Sequence, residues 1–128
     1  MDWMLEDLAL SVPRTRHVVV LSADGLCMAR YSTDQDTGDR LAAASSGLKS
    51  LAQSVAGEFP HSTGEVRMVV LEVDGGFFYL MAAGDRSYLA VTADDGVDAG
   101  LMSQRMRDLV ARIGAHLSTA QRLPEQAT

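Results

Sequence analysis

The sequence predicts a three-layer α/β/α sandwich built on a five-stranded antiparallel sheet. Helical and strand-like segments follow one another in the order α-β-β-α-β-β-β-α, and the breaks inside the strand-rich parts are short enough for hairpins. Strand-like segments such as VVVL and VRMVVLEV are also nearly all apolar. Because such strands need cover on both faces, we expect the middle helix on one face of the sheet and the two terminal helices on the other.

The first three elements are a helix and a hairpin. Apolar residues at helical spacing predict a helix over residues 2–12, and Pro13 ends it. Two extended segments follow, at His17–Leu21 and at about Leu26–Ser32. The Asp24-Gly25 pair between them is typical of a tight turn.

A long helix, three strands and a last helix complete the chain. Residues 37–58 contain no proline and many alanines and leucines, which predicts a long middle helix with Asp36 or Thr37 as its N-cap. Short glycine-containing breaks separate three further strand-like segments, Val66–Val73, Gly76–Ala83 and Tyr88–Thr92. Apolar residues at helical spacing predict a final helix over residues 98–118, with Asp98 as its N-cap.

Length and composition fit one ordinary domain. The chain has 128 residues, 47% of them hydrophobic and 22% charged, and we expect the domain over residues 1–120 and a flexible tail over 121–128. The net charge of −6, without a basic patch, argues against nucleic-acid binding. No apolar run approaches the ~20 residues of a membrane span and the acidic N-terminus does not resemble a signal peptide, so we expect a cytoplasmic protein without direct membrane insertion.

No motif in the sequence predicts an enzyme, a cofactor or a metal site. The chain has no phosphate-binding glycine loop, zinc-protease motif or nucleophile elbow. In a two-residue turn Ser22 would oppose Cys27, which places His17 roughly 16 Å from that cysteine. We therefore interpret Cys27, the single cysteine, as a small apolar residue rather than a nucleophile.

The predicted middle helix has three different faces. Its apolar stripe is expected to lie on the sheet and contains Leu41, Ala44, Leu48, Leu51, Val55 and Phe59. A second stripe, called here the small-residue stripe, would let another helix approach closely and contains Ala43, Gly47, Ser50, Ser54 and Gly57. The third face is polar but short, could form an exposed platform, and contains Ala42, Ser46, Lys49, Gln53 and Ala56. The alternative is that an alanine-rich helix simply has small surface residues.

The segment Val66–Val73 also favours self-association. As an end strand it would expose a long row of unpaired backbone groups, which monomers usually avoid. Antiparallel pairing with a second copy about a two-fold axis would cover this row and bring the two middle helices side by side. The predicted dimer interface therefore contains Ala43, Gly47, Ser50, Ser54, Val66, Met68 and Val70. The alternative is an internal strand that needs no partner.

Three stretches resemble the bacterial Roadblock/LC7 domain family. They are VVVLSADGLCMARYS at 18–32, DRLAAASSGLKSLAQSVAGEF at 39–59 and VRMVVLEVDGGFFYLMAAGDRSYLAVTADDGVDAGLM at 66–102. The sequence is similar to MglB-like members and to single-domain members encoded in actinomycete conservon clusters beside a Ras-like GTPase. The family has the same order of helices and strands as that read from this sequence.

The resemblance implies a function as well as a fold. It implies a homodimer with one continuous sheet that acts as a non-catalytic regulator or scaffold for a Ras-like small GTPase. The GTPase would contact the paired middle helices, and the corresponding platform here contains Ala42, Ser46, Lys49 and Gln53. Stimulated hydrolysis, assisted exchange and recruitment to a sensor histidine kinase-like protein all stay open. The alternative is a small-ligand sensory module with a pocket between the sheet and the middle helix.

Overall fold

The computed structural model describes the backbone of residues 1–84 and 86–126 and the side chains of residues 1–84 and 86–117. Within this part of the chain there are three helices and five strands. They are α1 (Asp2–Ser11), β1 (Thr15–Ser22), β2 (Cys27–Tyr31), α2 (Gln35–Ala56), β3 (Met68–Val73), β4 (Gly76–Ala82), β5 (Ser87–Asp94) and α3 (Ala99–Gln126). The predicted order of elements is confirmed. The predicted tail at 121–128 lies outside the described side chains and stays a prediction.

The strands form one antiparallel sheet in the order β2-β1-β5-β4-β3. The predicted sheet is thus confirmed, and β3 lies at one of its edges, paired with β4 alone among the described strands. The strand begins at Met68 rather than at Val66. Before Met68 the segment no longer pairs regularly with β4. A last hydrogen bond joins them, in which the Arg67 carbonyl accepts from the Ala82 N–H at 3.1 Å.

Each face of the sheet carries its own hydrophobic core. On β1, Val18 and Val20 face α1 and α3, whereas Val19 and Leu21 face α2. This division explains why the strand is apolar throughout and confirms the three-layer arrangement. The core under α1 and α3 is the larger one. Its buried helical residues are Met4, Leu5, Leu8, Met102, Met106, Leu109 and Ile113.

The β1–β2 hairpin differs from the predicted two-residue turn. Ser22 donates its N–H to the Leu26 carbonyl at 2.9 Å, which leaves a three-residue loop between them. Gly25 has φ +88°, a left-handed conformation that glycine adopts without strain. A bulge near Leu21 then shifts the register, so Cys27 pairs with Leu21 and not with Ser22.

Two aspartates cap the longer helices. The Asp34 carboxylate accepts a hydrogen bond from the Thr37 N–H at 2.7 Å, so the prediction of Asp36 or Thr37 as the α2 cap was wrong. Asp34 is in the extended conformation that an N-cap requires, and α2 therefore begins earlier than predicted. At α3 the Asp98 carboxylate accepts from the Leu101 N–H at 3.0 Å, which confirms the predicted cap.

Candidate interaction surface

Helix α2 turns a different face to the sheet from the one predicted. Its fully buried residues are Gly38, Ala42 and Ser45. Most of the predicted sheet-facing stripe is instead open to solvent, since Leu51 is 69% exposed, Val55 62% and Phe59 63%. At 100° per residue, the helix is rotated by about a quarter-turn from the predicted orientation.

Small side chains explain this rotation. A Cβ at Gly38 would lie 3.4 Å from the Cys27 sulfur and 3.3 Å from Arg30 Cδ, so the first turns of α2 approach β2 closely. A Cβ built on Gly25 in the β1–β2 loop would lie similarly close to the Ser46 side chain. Leucines could not replace these residues at such short distances, so α2 contacts the hairpin through its smallest side chains. The buried Ser45 hydroxyl donates to the Leu41 carbonyl at 2.6 Å.

The predicted platform residues do not share one exposed face. Ala42 is fully buried in the core between α2 and the sheet, so it cannot contact a partner. Ser46 and Lys49 are half-buried and face the β1–β2 loop, and the Lys49 ammonium donates to the Ala23 carbonyl at 3.1 Å. Gln53 is exposed. The rotation of α2 is the physical reason for this division.

The predicted interface residues also lie in different settings. The four on α2 are exposed and point away from the sheet: Ala43, Gly47, Ser50 and Ser54. On the edge strand Val70 is 51% exposed, whereas Met68 is half-buried in the core under α1 and α3. Val66 lies before β3 begins.

Exposed apolar residues on α2, in the turn that follows it and on β3 form a surface that was not predicted from the sequence as one site. On β3, Val69 faces α2, and the alternation of strand side chains puts Leu71 and Val73 on the same face. Leu41, Leu48 and Val69 pack against the same core, and Leu41 lines a groove together with Val73, so this stripe on α2 points toward the β3 edge. We call this surface the apolar margin, and it contains Leu51, Val55, Phe59, Leu71 and Val73. The apolar stripe and the predicted edge strand were its two sequence signals.

A groove of about 420 Å³ lies between the first half of α2 and the β3–β4 hairpin. We call it the α2–hairpin groove, and its apolar lining includes Leu41, Val73, Phe77 and Phe78. At its polar end, His17 Nδ1 lies 2.8 Å from Thr92 Oγ1, and Arg16 forms a 3.0 Å ion pair with Asp94. Burial lowers the pKa of His17, and the neighbouring Arg16 guanidinium lowers it further.

Neither a metal-ligand cluster nor an activated cysteine is found among the described residues. Among them, no group of three or more His, Cys, Asp or Glu residues could hold a metal ion. Cys27 is half-buried against Gly38, and burial raises the pKa of its thiol, which disfavours the reactive thiolate. Of the helices in the described ranges, none is long and apolar enough to cross a membrane.

An open sheet edge beside exposed apolar side chains is typical of a protein-interaction module. The Roadblock/LC7 domain model matches residues 1–93, and the chain belongs to the Roadblock/LC7 domain family. This confirms the resemblance inferred from the sequence.

Solved structures agree with this assignment. A Roadblock/LC7 domain from Streptomyces avermitilis is 36% identical, covers 92% of this chain and 98% of its own, and superposes with a TM-score of 0.86. A second domain from that organism is 32% identical, covers 87% and 95%, and has a TM-score of 0.70. Myxococcus xanthus MglB is 17% identical over 92% of this chain and 84% of its own, and with a TM-score of 0.76 it shares the fold. No curated protein sequence matches the chain.

Proposed function

We propose that the chain is a non-catalytic homodimeric regulator or scaffold that binds a Ras-like small GTPase in a bacterial signalling complex. The observation that carries this proposal is the apolar margin beside the free edge of β3. Exposed backbone groups and exposed apolar side chains at one place are a poor design for a monomer and a suitable one for an interface. Membership of the Roadblock/LC7 family supports the same function.

In the proposed dimer, β3 pairs with the β3 strand of a second copy about a two-fold axis. Met68 and Val70 keep their predicted place in this strand interface. The orientation of α2 changes the helical part of the interface, because its apolar stripe, and not its small-residue stripe, points toward the β3 edge. The two α2 helices would therefore meet through residues such as Leu51 and Val55.

The proposed GTPase surface is the outer side of the paired α2 helices. The small-residue stripe is exposed there, Gln53 is exposed beside it, and small side chains let the backbone of a partner approach closely. Ser46 and Lys49 contribute to this surface indirectly, since they attach α2 to the β1–β2 loop. Assays of binding, hydrolysis and nucleotide exchange distinguish stimulated hydrolysis, assisted exchange and recruitment to a sensor histidine kinase-like protein.

Sedimentation of one charged variant tests the dimer. Val70→Lys puts a charge on the edge strand at a side chain that is already 51% exposed, so the fold should tolerate it while β3 pairing is lost. We expect a dimer for the natural chain and a monomer for the variant. Gln104→Lys, at an exposed position of α3, is the matched control and should stay dimeric. A natural chain that stays monomeric at high concentration would contradict the proposal.

The second part of the proposal, GTPase binding, is tested with a Ras-like GTPase encoded beside the chain's own gene. The GTPase is loaded with GDP or with a non-hydrolysable GTP analogue, and binding and hydrolysis are measured. Ser50→Arg, on the outer side of α2, should abolish binding without changing the dimer. Gln104→Arg, at an exposed position of α3, is the matched control and should bind normally. Binding that survives Ser50→Arg would place the GTPase elsewhere.

The α2–hairpin groove favours a second candidate function, a small-ligand sensory module. A volume of about 420 Å³ with an apolar lining and a few polar groups is in the range of small-molecule sites. A panel of small metabolites can be screened for an increase in melting temperature. Leu41→Arg, which puts a charge into the groove, should abolish any increase that depends on this site.

A further inference from the structure

We propose that the α2–hairpin groove of one chain is filled by Leu51 and Val55 of a second copy of the chain. The inference rests on the homodimer of the proposed function and adds to it a specific contact. The apolar groove of each copy would receive the exposed apolar side chains of the other, and the contact would occur twice.

The first step is the relative direction of α2 and β3. Leu41, in the first half of α2, lines the same groove as Val73 at the end of β3. Gln53, in the second half of α2, lines a different depression together with Val66, just before β3 begins. Helix and strand therefore lie side by side and run in opposite directions.

The second step is symmetry. The midpoint of β3 lies about 8 Å from Val73 at ~3.3 Å per strand residue, which corresponds to roughly six residues of helix at ~1.5 Å each. Because Leu41 is level with Val73, a two-fold axis beside that midpoint is level with residue 47 of α2. The second copy then brings the part of its α2 near residue 53 level with Leu41. Leu51 and Val55 flank this position.

The third step is chemical fit. Leu51 and Val55 are among the most exposed apolar side chains of the described chain, at 69% and 62%. The facing side of the groove offers Leu41, Val73 and Phe78. Burial of such side chains against one another stabilises an interface by removing apolar area from water.

The polar groups at the end of the groove already have partners within the chain. His17 bonds Thr92, and Arg16 is paired with Asp94. With these groups bonded to one another, the groove suits apolar side chains better than a polar ligand.

Cross-linking between two different single-cysteine chains tests the contact. Both chains carry Cys27→Ser, which removes the single natural cysteine. One chain carries Val55→Cys and the other Val73→Cys; the two are mixed, allowed to exchange, and treated with a short bismaleimide. We expect a covalent heterodimer, visible by denaturing electrophoresis when one chain bears a longer tag. The matched control replaces Val55→Cys with Ser54→Cys, one position away and on the outer side of α2.

Sedimentation of each variant separates the two possible failures. If the chains are dimeric but position 55 gives no more heterodimer than position 54, the groove contact is wrong and the homodimer stands. If the natural chain is monomeric, the proposed homodimer fails and the contact fails with it. Preferential cross-linking of position 55 in a dimeric sample supports the contact.

Discussion

The Lys49 ammonium joins α2 to the β1–β2 loop through a 3.1 Å hydrogen bond to the Ala23 carbonyl. The same ammonium lies 5.2 Å from the centre of the Tyr88 ring on β5. Lys49 therefore holds three elements together. A charge reversal at this position would move α2 as well as change its surface, so the exposed Ser50 is the better residue for a test of partner binding.

Loss of the Lys49 charge should destabilise the fold. Lys49→Met keeps the apolar stem and removes both the hydrogen bond and the cation–π contact, which together are worth about 1–2 kcal/mol. Urea denaturation should show a decrease of this size in the free energy of unfolding. Arg40→Met, at an exposed position of the same helix, should change it by less than about 0.5 kcal/mol. Equal effects of the two variants would show that Lys49 makes no special contribution.

Tyr79→Phe should leave the protein as stable or more stable. Tyr79 is 1% exposed, and its hydroxyl has no hydrogen-bond partner among the described residues. A buried hydroxyl without a partner is unfavourable, so its removal should raise the free energy of unfolding by about 1 kcal/mol. Thermal unfolding measures the change, with Tyr88→Phe as the matched control at a half-buried position. A clear loss of stability in Tyr79→Phe would indicate a bonded hydroxyl.

The N-cap of α2 should make stability depend on pH. The hydrogen bond from the Thr37 N–H to the Asp34 carboxylate lowers the pKa of Asp34 below its ordinary value. Since the folded pKa is lower than the unfolded one, the carboxylate contributes stability above about pH 4, and this contribution is lost as pH falls through the folded pKa. Asp34→Ala should therefore be less stable than the natural chain at pH 7, and the difference should shrink at pH 2.5.

Asp34→Asn controls for the charge, because an asparagine caps a helix without titrating. Chemical denaturation at both pH values gives the comparison. A difference between the natural chain and Asp34→Ala that is the same at pH 7 and pH 2.5 would rule out the carboxylate as its source.

Two glycines should respond in opposite ways to the same substitution. A Cβ at Gly76 would collide with the Ala93 carbonyl oxygen, so Gly76→Ala should cost about 3 kcal/mol. In contrast, no described atom lies within 4 Å of a Cβ built on Gly47 in the exposed middle of α2. Gly47→Ala should gain about 1 kcal/mol from helix propensity. Denaturation midpoints measure both, and a destabilised Gly47→Ala would mean that this position is covered in solution.

The sequence was sufficient to predict the strands and hairpins of the sheet because the signals that specify them are local. The alternating faces of Val18–Leu21, the left-handed Gly25 and the short turn before Gly76 each depend on residues close in the chain. These signals determined the element order and the hairpins, whereas the sequence left open whether β3 is an edge or an internal strand, and the structure places it at an edge.

The orientation of α2 could not be predicted in the same way. The largest apolar residues of a helix normally face the core, and that rule assigned Leu51 and Val55 to the sheet. In the structure, the close approach of the β1–β2 hairpin selects Gly38 and Ala42 instead. This is a tertiary effect between segments that are distant in the chain, and it also explains why Ala42 was wrongly placed on the partner surface.

The two cores of the sheet differ greatly in size, since α1 and α3 supply the larger one and α2 anchors mainly through small side chains. Backbone amides of α2 should exchange with deuterated water sooner than those of α3 in a solitary chain, because less buried apolar area opposes their local opening. Docking of a partner on α2 would then slow that exchange. The helix proposed to meet other molecules would thus also be the one whose order they control.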